Sequence, residues 1–222
     1  MSNEPLLSQN AGPRSDEDIK EENSSLPFLV SYVILGALIL VNYVTVGVYL
    51  NKTYPLGNIV NPKQTGAFNL WGAIYDDDNK GLLAVYYCGF VVATVGYLLN
   101  INYVFRVHRT MPRDLYYRLC GSMLVFMITE HMWMPLCAVY IGNPTSALWW
   151  VIFWQLKVSA LASIFVAVCL FKIPHPNPKA SDLVRNLGLV GSIMFAAHCT
   201  VLDGGIWSFY FTAGGGRFPP PT

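Results

Sequence analysis

The sequence predicts an all-α fold, a polytopic membrane helix bundle of five transmembrane helices preceded by a disordered amino-terminal tail. Three observations predict it. Only 12% of the 222 residues are charged, about half the ~25% usual in a soluble domain, too few to cover a water-facing surface. Hydrophobic residues make up 54% of the chain, and the mean hydropathy is +0.41. Five apolar stretches each reach the ~20 residues that a helix needs to cross a ~30 Å hydrocarbon core. In lipid each must be helical, because only a helix satisfies its own backbone hydrogen bonds.

Residues 1–27 form the expected tail. The charged run Asp16-Glu17-Asp18-Ile19-Lys20-Glu21-Glu22 lies within it, and such a segment buries too little apolar area to offset its ordering entropy. It has no positive start leading into an apolar core, so it does not read as a signal peptide. Glu4-Pro5-Leu6-Leu7 resembles an acidic dileucine sorting signal, which makes an endosomal, lysosomal or vacuolar membrane one expected location. The transmembrane domain follows over residues 28–212, and 213–222 is a short Gly/Pro-rich tail.

The five stretches run over Phe28–Leu50, Leu82–Phe105, Leu119–Ile141, Ala147–Phe171 and Leu187–Phe211. The fifth contains Asp203 followed by Gly204-Gly205 and could break there, leaving four crossings as the alternative. With the amino terminus in the cytoplasm, inner segments carry Arg14, Lys20, Arg106, Arg109, Arg113, Arg118, Lys172, Lys179 and Arg185. Outer segments carry only Lys52, Lys63, Lys80 and Arg217. The excess predicts a cytoplasmic amino terminus and a carboxyl terminus outside or in a lumen.

Between the first two stretches, Phe68–Tyr75 is an aromatic run suited to the membrane interface. Asp76-Asp77-Asp78 reads as a solvated turn, since consecutive aspartates lack the alternating spacing and glycine of a calcium loop. Ile173–Lys179, with three prolines, is a stiff connector. Trp149, Trp150 and Trp154 open the fourth stretch as an interfacial belt. The sequons Asn51-Lys52-Thr53 and Asn23-Ser24-Ser25 fall beside the membrane and on the inner side respectively.

Charged residues near the middle of the crossings are the candidates for function. Glu130 is eleven residues from each end of the third stretch, where a charge is costly and normally faces protein or a wet cavity. His131 follows it. Pro135 cannot donate to the carbonyl four residues back, so the His131 carbonyl is freed and the helix can kink. The loop Gly142–Ser146 is short, so the third and fourth stretches should pair antiparallel. At ~1.5 Å per residue Glu130 and Lys157 then lie at the same depth, about 15–17 Å from the outer surface. An ion pair between them is expected if their faces match, either as a packing device or as part of a ligand or proton pathway. His198 and Asp203 are further candidates in the fifth stretch. Five residues apart is ~140° around an ideal α-helix, which places them on different faces.

Gly188, Ser192, Ala196, Thr200 and Gly204 recur every four residues, as do Gly89 and Ala93 in the second stretch. Such small stripes let another helix approach closely, within the bundle or between subunits. The five cysteines sit in or beside apolar segments and read as small packing residues. Four histidines on separate segments make no metal pattern, no cofactor is indicated, and the absence of a dense basic patch argues against nucleic acid.

Phe68–Tyr75, together with the five-helix count, resembles the tryptophan-rich translocator family, small proteins that bind porphyrins and sterols. That family's proline- and tryptophan-rich first segment is absent here. Trp133-Met134-Pro135-Leu136 behind an acidic residue is similar to a stretch of the five-helix sterol isomerases, with a different spacing from acid to tryptophan. Neither resemblance transfers a functional residue. The expectation is therefore a multi-pass protein that binds or transports a small solute at a Glu130/His131/Lys157 site. A lipid or sterol enzyme, with Glu130 and His131 as its acid and base, and a structural subunit of a homo-oligomer or membrane complex are the alternatives. Expected partners are membrane lipids and a small-molecule ligand.

Overall fold

A computed structural model describes residues 23–56 and 64–211. Its five long helices are α1 (Ser25–Thr53), α2 (Asp77–Val107), α3 (Arg113–Gly142), α4 (Ser146–Phe171) and α5 (Asp182–Tyr210). All five are long and apolar enough to cross a membrane, and no β-strand occurs among the described residues. Their outward faces carry apolar side chains such as Leu40, Val44, Val91, Leu161 and Phe165. This surface is compatible with a membrane protein, since a soluble monomer rarely exposes large continuous apolar patches.

Local chemistry fixes the helix starts. Ser24, Thr145 and Ser181 cap α1, α4 and α5, each accepting a backbone N–H from the first turn, which satisfies donors that no helical carbonyl can reach. The expected tail, residues 1–27, overlaps the first described residues, which are held in the fold. Asn23 is buried and donates to the carbonyls of His108 (2.8 Å) and Met111 (2.7 Å). Phe28 stacks on His108, ring centroids 5.2 Å apart. The α2–α3 loop therefore holds the start of α1, and the amide of the Asn23 sequon is committed to this contact. The dileucine-like motif and the carboxyl-terminal tail lie outside the described residues.

Gly66–Tyr75 forms 3₁₀ turns that fold over one end of the bundle. Leu70 and Ile74 are buried there, while Phe68 and Tyr75 stack on the exposed side. Gly72 has a φ of 53° and lies against Phe211 and the Tyr210 carbonyl. Only glycine fits, both for the left-handed backbone and for the contact. Trp207 Nε1 donates to the Leu70 carbonyl at 2.9 Å, tying the 3₁₀ segment to α5. The tryptophan belt is divided: Trp150 and Trp154 are exposed, but Trp149 is buried and donates to the Phe211 carbonyl.

The helices neighbour one another in the order α1, α3, α4, α5, α2, and Tyr97 of α2 closes the ring by donating to the Tyr32 carbonyl of α1. α3 and α4 pair antiparallel, as their short loop requires. The core has two apolar parts. One, at the end bearing the Arg106–Arg118 loop, centres on Tyr103, Met123, Val166 and Phe195. The other, under the 3₁₀ segment, centres on Ile74, Tyr140, Trp149 and Trp207. Polar groups meet between the two parts.

α5 does not break at Gly204-Gly205. It continues as π-helix over His198–Trp207, and α1 has a shorter π segment over Leu29–Ile34. Two glycines remove the side chains that would resist the wider winding. Two carbonyls of this segment accept from other helices. Leu202 O accepts from Tyr86 of α2 at 2.6 Å, and Gly204 O accepts from Lys157 of α4.

Candidate functional site

Glu130 is buried on α3, and its Oε1 accepts from Ser159 Oγ of α4 at 2.5 Å. The indole N–H of Trp133, one turn further along α3, lies within hydrogen-bonding reach of both Glu130 and the Tyr43 hydroxyl of α1. Asp203 of α5 lies within electrostatic range of Glu130, and the Tyr43 hydroxyl within range of both. Asp203 also acts on Tyr86 of α2. Each helix thus supplies a group to one acidic cluster: Tyr43, Tyr86, Glu130 with Trp133, Ser159, and Asp203 with His198.

His198 Nε2 lies 3.3 Å from Asp203 Oδ2, which corrects the expectation that these residues face different ways. The expectation assumed α-helical winding. In a π-helix the repeat is i→i+5, so residues five apart stack along one face. The Asp203 side chain retains 30% exposure. Gly89 of α2 packs directly on the imidazole.

The expected Glu130–Lys157 pair is not formed. The depths match but the faces do not: Lys157 and Ser159 are two residues apart, ~200° around α4, and Ser159 is the one turned to Glu130. Lys157 reaches across to the Gly204 carbonyl and lies over the rings of Phe153 and Phe209, 4.5 and 5.9 Å from their centroids. It fastens α4 to the π segment of α5 through a carbonyl and two π faces.

His131 also turns away from the acidic cluster. Its Nδ1 contacts the Met127 carbonyl at 2.8 Å, and its buried Nε2 has no partner. Its main chain does what Pro135 predicts. The freed His131 carbonyl accepts from Asn42 Nδ2 of α1 at 2.9 Å. Two residues earlier the Thr129 carbonyl accepts from Gln155 of α4. Main-chain acceptors of α3 are thus used on both sides of Glu130 to hold the neighbouring helices.

Of the five candidates, the structure brings together Glu130, His198 and Asp203 and sets His131 and Lys157 beside them. Tyr43, Tyr86 and Ser159 escaped the sequence reading. A signal for Tyr43 existed in Asn42-Tyr43, which interrupts an otherwise aliphatic run midway along α1. Among the described residues no group of three or more His, Cys, Asp or Glu could hold a metal ion. All five cysteines are free thiols, four of them buried. No protein-family model, curated protein or solved structure matches the chain.

Proposed function

We propose that the five helices cross a lipid bilayer, with the amino terminus in the cytoplasm, and that the acidic cluster midway along them binds and transports a small cationic solute in exchange for a proton. The reading is carried by the gathering of groups from all five helices around Glu130 and Asp203. A carboxyl that only pinned two helices together would need one partner on one neighbour, as Glu130 already has in Ser159. The second acid, the partial exposure of Asp203 and the aromatic groups Tyr43, Trp133 and Tyr86 exceed that need. Two interacting carboxyls can hold either a proton or a cation, and aromatic faces stabilise a desolvated cation. The nine-to-four distribution of basic residues supports the orientation.

The small-residue stripes bear on the assembly alternative. Gly188 lies against Tyr103 of α2, and Gly204 against Ala160 of α4. Both are used inside the bundle, so the stripe leaves little support for a contact between subunits.

The test uses the full chain in proteoliposomes loaded with a pH-sensitive dye and exposed to gradients of small organic cations, among them tetramethylammonium and guanidinium. A cation gradient should drive counterflow of protons in the wild type; Glu130→Gln and Asp203→Asn should each abolish it, and wild-type flux in Asp203→Asn would overturn the two-carboxyl reading. Equal proton flux in Glu130→Gln and wild type would sink the proposal, as would wild-type protein indistinguishable from empty vesicles with every cation.

A further inference from the structure

A second feature lies away from the acidic cluster, at the end of the bundle bearing the arginine-rich loop. A cleft of about 780 Å³ opens between α3 and α4, a volume within the range of small-molecule sites. Its rim carries Arg118, Lys172 and Asp114, and its wall runs along Gly121, Val125 and Phe165. We infer that this cleft is a binding site for one anionic glycerophospholipid, with the phosphate on Arg118 and Lys172 and an acyl chain along the wall.

Polarity along the cleft follows the order of a lipid. On α3 the residues run from Arg118 to Val125, and on α4 from Lys172 to Phe165, seven residues in each case. At ~1.5 Å per residue this is about 10 Å from charge to hydrocarbon. Val125 and Phe165 are 45% and 60% exposed, so the lower wall is apolar and open on the outward side. Gly121 contributes an empty stretch of wall, for a Cβ built there meets nothing within 4 Å. A free phosphate would use the rim and leave this wall bare. A phospholipid covers both.

Charge complementarity selects the headgroup. The rim holds two cations and one carboxylate, a net charge of +1. Asp114 engages the Nε edge of Arg118, at 3.1 Å to Oδ1 and 3.0 Å to Oδ2. That contact fixes the direction of the guanidinium and leaves its terminal nitrogens for a phosphate, which a guanidinium binds in a fork geometry. Lys172 has no ion-pair partner among the described residues. Basic sites between helices at the cytoplasmic surface suit anionic headgroups. The inference depends on the proposed bilayer placement but not on transport by the acidic cluster.

Native mass spectrometry of the full chain, released from detergent with phosphatidylserine and phosphatidylcholine present in equal amounts, tests it. The protein should retain one phosphatidylserine in preference to phosphatidylcholine. Arg118→Gln or Lys172→Gln should weaken retention by about fivefold, and the double variant by about thirty-fold. Gly121→Leu, which leaves both charges and fills the wall, should lower it as well. Equal retention of the two lipids would overturn the proposal, and so would double-variant and Gly121→Leu proteins that hold lipid like the wild type. Displacement of the lipid by an equal concentration of glycerophosphoserine, which lacks acyl chains, would reduce the site to one for free anions. Failure of the bilayer placement reads out separately, as protein extracted from membranes by alkaline carbonate.

Discussion

The α2–α5 and α3–α4 seams are the most extensive helix pairings in the bundle, and they close by opposite means. Along α2–α5 side chains are missing where the backbones meet. Gly96 and Gly191 face each other so closely that a Cβ on Gly191 would lie 2.6 Å from the Gly96 carbonyl. Along α3–α4 buried polar groups meet: Ser159 donates to Glu130, and Gln155 to the Thr129 carbonyl. In lipid a glycine contact gains close van der Waals packing, whereas a polar contact replaces hydrogen bonds that the surroundings cannot supply. At the first kind of contact no side chain is present to change partner. The second has alternatives, because a hydroxyl or carboxyl can change partner. A site that exchanges ligands belongs beside the second kind.

The largest expected effect therefore lies in the glycine seam. Gly191→Leu should destabilise the protein by about 3 kcal/mol or more, since overpacking costs about 1–3 kcal/mol even where side chains can yield, and here the obstacle is a backbone carbonyl. Unfolding by dodecyl sulfate in mixed micelles measures it. Gly121→Leu is the internal control, because its added side chain meets open space, and its midpoint should stay at the wild-type value. Equal midpoints for the two leucine variants would show that the seam tolerates separation.

The polar seam should respond less, and in a way that distinguishes shape from charge. Glu130→Ala removes the acceptor of Ser159 and leaves a void, a loss of about 2 kcal/mol. Glu130→Gln keeps volume and an acceptor oxygen, so its stability should fall within about 1 kcal/mol of wild type while proton exchange disappears. Ser159→Ala should cost about 1 kcal/mol. The same micelle titration gives the stabilities. A Glu130→Gln protein as unstable as Glu130→Ala would make the ionised carboxylate a structural element and remove the reason to place it in a transport path.

Much of the bundle could be read from the chain because it depends on quantities local to each stretch. Length and hydropathy set five helices, and the short Gly142–Ser146 loop set the α3–α4 antiparallel pair and its depth register. Rotation about a helix axis is not local. Glu130 and Lys157 were matched in depth, yet two residues of rotation handed the contact to Ser159. The His198–Asp203 contact was hidden for another reason. The 100° step of an α-helix does not hold in a segment whose Gly204-Gly205 pair allows a π-helix, and no periodicity in the residues announces that change. Tyr43 and Tyr86 were overlooked because an aromatic residue in an apolar stretch has the same composition whether it faces lipid or a carboxyl.

The smallest effect tests how α1 is held to the polar seam. Pro135 frees the His131 carbonyl, and Asn42 of α1 donates to it. Asn42→Leu leaves that carbonyl without a partner in an apolar setting and should cost about 1 kcal/mol. Pro135→Ala by itself restores an N–H four residues on, so the His131 carbonyl can be satisfied within α3. The carbonyl has two lone pairs, and Asn42 need not leave it. In the Pro135→Ala background the Asn42→Leu substitution should therefore be nearly neutral, because the α-helical bond already covers the acceptor. The double-mutant cycle should give a coupling of about 1 kcal/mol, read from the same unfolding midpoints. A coupling near zero would mean that Asn42 stabilises α1 by some other contact than the carbonyl that Pro135 frees.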